Sequence, residues 1–201
     1  MKKKLPVIII IIVSLILFTA FAVFAFIHEM NRPKLPEIGL VKPFELITAD
    51  GENFYSAQKL NGRVWIADFF FTTCSDICPM MTKSMATLNR SFETVPGVSL
   101  VSITVNPEQD TPETLKKYAK SYEEKHNKNP ENWYFLTGDR EAIRKIVVES
   151  FKLGSVEEPI YHSSYFSLVD RNGYIRGYYD GTVEEDVNRL FKDVGRLLKE
   201  R

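Results

Sequence analysis

Two cysteines are the only thiols in this chain of 201 residues, and they stand close together in Thr73-Cys74-Ser75-Asp76-Ile77-Cys78-Pro79. The run before them, Val64 to Phe71, is nearly continuous in apolar residues and suits a strand buried on both faces. After them Ile77, Met81, Met85, Leu88 and Phe92 recur at helical spacing, which predicts a helix from about Cys78 to Thr94. The cysteines therefore sit where a central strand passes into a helix. A helix N-terminus offers free N–H groups and a positive dipole end, and both favour thiolate over thiol. Thiolate is the form that attacks disulfides and ligates metals. A purely structural disulfide is the plain alternative, but a loop this short gains about 2 kcal/mol at most, against roughly 3 for a fifteen-residue loop. The pair reads as functional.

Redox pairs in such a turn usually have two intervening residues, whereas three separate Cys74 from Cys78. The extra residue lets both sulfurs converge on one ion while still permitting a disulfide, so the spacing shifts the reading toward metal without deciding it. A metal needs a further ligand. His28 belongs to the amino-terminal apolar segment, and His126 stands in the charged stretch Glu123-Glu124-Lys125-His126-Asn127-Lys128. His162 follows Glu157-Glu158-Pro159-Ile160-Tyr161, just before a predicted strand. Spacing alone leaves His162 divided between a ligand and a satisfied structural histidine. Two thiolates and one imidazole form a soft set suited to Cu(I), and the nitrogen helps to accommodate Cu(II).

The elements that position these residues can be read along the chain. Phe44 to Thr48 and Asn53 to Ser56, separated by Asp50-Gly51, predict a hairpin. Val98 to Val105 has strand character, and Asp110-Thr111-Pro112-Glu113 combines an N-cap candidate at Asp110 with a first-turn proline and an acidic partner, opening a helix to about Tyr122. Trp133 to Leu136 is a short strand, and Asp139 opens a helix to Phe151 through Ile143, Ile146 and Val147. Tyr165 to Asp170 and Tyr174 to Tyr179, joined by Arg171-Asn172-Gly173, predict a second hairpin. Thr182-x-x-Glu185 is read as the cap of a last helix ending near Leu198. Alternating βα units closed by an antiparallel hairpin and a helix give an α/β, thioredoxin-like mixed sheet with helices on both faces.

Composition bounds the rest. With 44% hydrophobic residues and 26 basic against 26 acidic side chains, the chain can bury one sizeable core, and it lacks the excess of Lys and Arg that marks nucleic-acid binders. Met1-Lys2-Lys3-Lys4 is followed by an uncharged apolar run from Leu5 to Ile27, long enough for one N-terminal transmembrane helix. Lysines ahead of it place the remainder on the extracytoplasmic side of the cell membrane as a single-pass protein. Ala20-Phe21-Ala22 offers the alternative of a cleaved signal peptide, against which the length of the run weighs. The expected organisation is residues 1–28 as cytoplasmic lysines and anchor, 29–43 as a proline-containing tether, and 44–201 as the folded domain.

Taken together, Cys74-x-x-x-Cys78-Pro79, Val105-Asn106-Pro107-Glu108-Gln109-Asp110-Thr111 after the next strand, and His162 ahead of a hairpin resemble the Sco/SenC family of copper proteins over about Phe44 to Leu198. The resemblance implies a thioredoxin fold, one copper ion held by Cys74, Cys78 and His162, and a role in building the copper centre of cytochrome c oxidase subunit II. Asn106 stands where an aspartate is common in that family, and Tyr161 where an aspartate often precedes the histidine; both bear on the surroundings of the ligands. Met81 and Met85 lie on the apolar stripe and read as core, whereas Met80 points off it, where a soft contact for copper in transit is only the minor alternative to an ordinary exposed side chain. The charge of Asp76, between the cysteines, would raise a thiol pKa.

The leading functional expectation is a copper-binding assembly factor, a metallochaperone rather than an enzyme. The alternative is a thiol–disulfide oxidoreductase that reduces the cysteines of the copper-receiving subunit, needing Cys74 and Cys78 but not His162. A copper or redox sensor would use the same site. The partners this implies are subunit II, a thioredoxin-like thiol reductant that keeps the pair reduced, another copper chaperone, and the membrane through the N-terminal helix.

Overall fold

The computed structural model describes residues 5–30, 33–126, 132–153 and 163–200. The chain falls into two compact units, Met1–Leu35 and Pro36–Arg201. The first contains helix α1, Leu5–Met30, formed by the apolar run. Among the described residues, however, no helix is long and apolar enough to cross a membrane. The expectations that rested on a spanning helix are corrected accordingly. These are the transmembrane anchor ahead of the fold, the single-pass cell-membrane location with an extracytoplasmic domain, and the membrane as a partner.

In the second unit the elements run in the order β1 (Gly39–Leu40), β2 (Glu45–Thr48), β3 (Asn53–Tyr55), α2 (Ser56–Lys59), β4 (Val64–Phe70), α3 (Ile77–Ser91), β5 (Val98–Thr104), α4 (Pro112–His126), β6 (Trp133–Thr137), α5 (Arg140–Lys145), β7 (Tyr165–Val169), β8 (Tyr174–Asp180) and α6 (Glu184–Lys199). One sheet joins all eight strands in the order β1-β8-β7-β4-β5-β6-β2-β3. β4, β5 and β6 are parallel, and the remaining neighbours are antiparallel. This is the thioredoxin-like mixed sheet that the βα alternation predicts.

Every residue of β4 and of β5 is buried, because helices cover both faces of the sheet. Side chains alternate along a strand. Trp65, Ala67 and Phe69 therefore share one face and join a core with Val101, Ile103, Leu136, Ile143, Val147 and Phe151. The Phe151 ring meets Trp65 and Phe69 edge-on at 5.9 and 5.0 Å. Ile66, Asp68 and Phe70 point the other way, where Phe70 stacks on Tyr118 of α4 at 5.2 Å. Met81, Met85 and Leu88, the apolar stripe of α3, are likewise buried.

Three local features depart from the sequence reading. The helix opened by Asp139, whose carboxylate caps the Ala142 N–H, reaches Ser150 as expected but closes in a π-helical turn, Ile146–Ser150. The proline-containing stretch expected as tether contributes an edge strand: β1 pairs with β8, and the Ile38 N–H donates to Ile175 O. Thr182 does not cap α6. Its backbone N–H and its hydroxyl both donate to Asp180 Oδ1, at 2.9 and 2.6 Å, and Val183 occupies the cap position. The dipole of α6 is met instead by Glu184, Glu185 and Asp186 in its first turn.

Candidate metal centre

β4 and β5 run side by side in register from Val64↔Val98 to Phe70↔Thr104, and the last backbone bond between them is Val105 N–H to Phe70 O at 2.9 Å. Past that bond the chain turns at Thr72-Thr73, closed by the Cys74 N–H on Phe71 O at 3.2 Å. α3 begins at Ile77, so Cys74 precedes the helix and Cys78 lies in its first turn. Both cysteines are free and buried, with 9% and 3% of their surface exposed. Thr82 fixes the start of the helix by donating its hydroxyl to Cys78 O at 2.9 Å and sharing a 2.8 Å hydrogen bond with the Tyr118 hydroxyl.

The two thiols influence each other and are electrostatically unequal. Burial pushes the Cys74 thiol up, but the Cys78 thiol and the backbone N–H groups of Cys78, Asp76 and Ile77 outweigh it, so the Cys74 pKa lies below its ordinary value. These are the free donors of a helix N-terminus acting on a sulfur. Cys78 is pushed up to about 12 by burial first, then by the neighbouring Cys74 thiol and by the charges of Cys74 and Asp68, against a backbone hydrogen bond from Phe71 that lowers it. One thiol is thus prepared to ionise while its neighbour holds its proton. Asp76, expected to raise a thiol pKa by its charge, is exposed and acts on Cys74 through its backbone N–H in the opposite direction.

Two free, adjacent thiols fit a soft metal ion such as copper as a donor pair. Among the described residues, no group of three or more His, Cys, Asp or Glu side chains could hold a metal ion. His162, the expected third ligand, lies outside the described residues, as do the side chains of His28 and His126. Met81 and Met85 are fully buried and Met80 is 49% exposed, as their places on and off the helical stripe require.

Two carboxylates near the site escaped the sequence reading. Asp68, embedded in the apolar run, is 1% exposed and accepts a hydrogen bond from the Ser102 hydroxyl, which itself accepts from Trp133 Nε1 at 2.9 Å. Burial raises the Asp68 carboxyl to about 7. A single charge inside seven consecutive buried positions was the available signal. Asp110, read as a helix N-cap, instead points back at the cysteine turn and accepts from Thr72 and Thr104. Thr111 takes the cap, its hydroxyl oxygen accepting the Thr114 N–H at 3.3 Å.

The family model for SCO1/SenC matches residues 34–199, nearly the whole of the sheet-bearing unit. The chain belongs to the SCO1/SenC family. It is 36% identical over 160 residues to the SCO1 protein homolog of Bacillus subtilis, with 77% of this chain and 80% of that one covered. Among solved structures, this SCO1/SenC chain is similar to BsSco, described as a member of the Sco family of cytochrome c oxidase assembly proteins in which a disulfide switch was identified. The TM-score is 0.72 and the identity 32%, over 85% of this chain and 100% of that one. It is also similar to Arabidopsis thaliana ScoI with copper bound, at TM-score 0.63 and 28% identity over 82% and 99% of the two chains. Membership in the SCO1/SenC family supports copper binding in general terms.

Proposed function

We propose that this chain binds one copper ion per domain through Cys74, Cys78 and His162 and hands it on during assembly of the copper centre of cytochrome c oxidase. The observation that carries the reading is the pair of free, buried thiols at the head of α3, one of them biased toward thiolate. The copper-bound Arabidopsis relative adds support. Ligation consumes thiolates, so copper uptake by the reduced chain and its loss on oxidation of the pair are expected together. Titration of the reduced chain with Cu(I) and with Cu(II), following metal content and absorption spectra, tests this; equal copper binding by the oxidised chain would remove the cysteines from the ligand set.

The inequality of the two thiols favours a second reading, thiol–disulfide exchange with Cys74 as the attacking sulfur. The disulfide switch described for BsSco is in keeping with it. Both readings use Cys74 and Cys78, and only the first needs His162.

A further inference from the structure

The Asp110 side chain is fully buried, yet none of its three hydrogen-bond donors is a basic side chain. Its Oδ2 accepts the Thr72 backbone N–H at 3.0 Å and the Thr104 hydroxyl at 2.5 Å, and its Oδ1 accepts the Thr72 hydroxyl at 2.5 Å. A carboxylate in such a place is costly unless strongly bonded, and bonds to an ionised acceptor are among the stronger ones. A helix cap does not account for it, because Thr111 does that work for α4.

The position in the fold does account for it. The β4–β5 ladder ends with Val105 N–H on Phe70 O, and beyond that point no strand partner remains for Thr72, two residues before Cys74. The Asp110 carboxylate takes up the Thr72 N–H there. Its mount is itself rigid: the Asp110 and Gln109 N–H groups both donate to Asn106 O, at 3.0 and 3.1 Å, and the Asn106 N–H donates to the Thr104 hydroxyl oxygen at 3.0 Å. Thr104 in turn donates to Asp110, so the loop after β5 is locked to the end of its own strand before it reaches across to β4. Cys78 is fixed separately by α3 and Thr82. The distance between the sulfurs then depends on how firmly the Thr72–Cys74 segment is held from the other side.

We infer that Asp110 is a positioning residue for the dithiol: its buried carboxylate clamps Thr72 and thereby holds Cys74 against Cys78. The inference rests on Cys74 and Cys78 being the working pair, whichever of the two functions they serve. The clamp acts through geometry, since an asparagine can replace it. An amide oxygen can accept from the Thr72 N–H and from Thr104, and the Thr72 hydroxyl can reverse to accept from the amide nitrogen.

The test is the equilibrium of the full chain with glutathione, in which Cys74 and Cys78 lose two hydrogens to one glutathione disulfide and two glutathione thiols form. Holding the sulfurs together favours ring closure, as preorganisation does in any intramolecular reaction. Asp110→Ala is expected to lower the constant for Cys74–Cys78 disulfide formation about tenfold, and Asp110→Asn to stay within about threefold of the parent. Tyr179→Phe, which removes a buried bond to Asp193 away from the turn, is the control for lost stability and should leave the constant unchanged. If Asp110→Ala does not fold, Thr72→Val removes one bond of the clamp and should shift the constant in the same direction by a smaller factor. An unchanged constant in Asp110→Ala or Thr72→Val, an asparagine variant as impaired as the alanine, or an equal shift in Tyr179→Phe overturns the inference. Failure of the copper reading would show separately, as a parent chain with this glutathione equilibrium and no copper uptake.

Discussion

Ser102 stands directly opposite Asp68 across the β4–β5 pair and donates its hydroxyl to Asp68 Oδ1 at 2.5 Å. One hydroxyl does not compensate a carboxylate that is wholly out of water. Burial, the largest influence, raises the Asp68 carboxyl from 3.8 to about 7, with the Ser102 bond lowering it only in part. The folded chain therefore binds a proton there more tightly than the unfolded chain does.

The sign of the pH dependence follows. As pH rises through the unfolded value near 4, the unfolded chain gains stability by ionising while the folded chain cannot, so folding stability falls between about pH 4 and 7 and stays lower above it. Three pK units correspond to at most about 4 kcal/mol. Asp68→Asn keeps an acceptor for Ser102 and removes the ionisation. It should raise the free energy of unfolding at pH 8 by an amount on the order of 2 kcal/mol and leave it nearly unchanged at pH 4. Urea melts at both values check this, and an equal effect at the two pH values would contradict it.

Much of this arrangement was legible in the sequence because local pattern and tertiary demand agree. The apolar run of β4, the Met81–Met85–Leu88 stripe and the two hairpins each state their element and their buried face, and together they place the cysteines. Asp110 was misread because Asp-Thr-Pro-Glu satisfies the cap pattern whether Asp110 or Thr111 does the capping; the partner that decides it, Thr72, is remote in sequence. Thr182 was misread for a similar reason, since its hydroxyl finds Asp180 first. β1 is two residues long and carries no alternation to detect. Asp68 was hidden by its neighbours, and its role depends on Ser102, which pattern alone does not pair with it. The apolar amino-terminal run did predict a helix, and α1 forms there, but among the described residues no helix is long and apolar enough to cross a membrane.

The unequal thiols predict unequal chemistry. Cys74 is held below its ordinary pKa, whereas burial and the neighbouring sulfur push Cys78 up to about 12. Brief treatment of the reduced chain with iodoacetamide at pH 7.5 should modify Cys74 at least about tenfold faster than Cys78, because the thiolate is the reacting form. Peptide mapping by mass spectrometry reads the ratio. Equal labelling, or preference for Cys78, would refute the assignment of Cys74 as the attacking sulfur.

At the β7–β8 hairpin, Arg176 is buried between Asp170 at 2.8 Å and Glu200 at 3.3 Å, and its Nε donates to Pro36 O. Asp170 also accepts the N–H groups of Asn172 and Tyr174, so this ion pair organises the turn. Removing one member of a buried pair leaves the other charge without its partner, which commonly costs about 3–5 kcal/mol. Arg176→Met should lose roughly 3 kcal/mol in urea denaturation. Reduced and folded, the variant should still take up copper with the stoichiometry of the parent chain, which metal analysis after desalting would establish; a variant as stable as the parent would show that the pair contributes nothing net.

Copper transfer and thiol exchange part company at His162, so His162→Ala compared with Cys78→Ser distinguishes the two proposed functions. Cys78→Ser deletes a proposed ligand and half of the dithiol, and both readings expect it to abolish function. His162→Ala leaves both sulfurs and the N–H donors of α3 in place, so the glutathione equilibrium of Cys74 and Cys78 should stay within about threefold of the parent, as expected when the reacting pair keeps its geometry. Copper binding should change in a graded way. Two thiolates alone still suit Cu(I) in low coordination, whereas Cu(II) prefers an added nitrogen or oxygen donor, so Cu(II) affinity should fall by at least about tenfold and Cu(I) affinity by less. Cells carrying His162→Ala should then resemble the deletion and lack assembled cytochrome c oxidase. Normal oxidase assembly in those cells, alongside its loss in Cys78→Ser cells, would assign the function to thiol exchange and withdraw the copper reading.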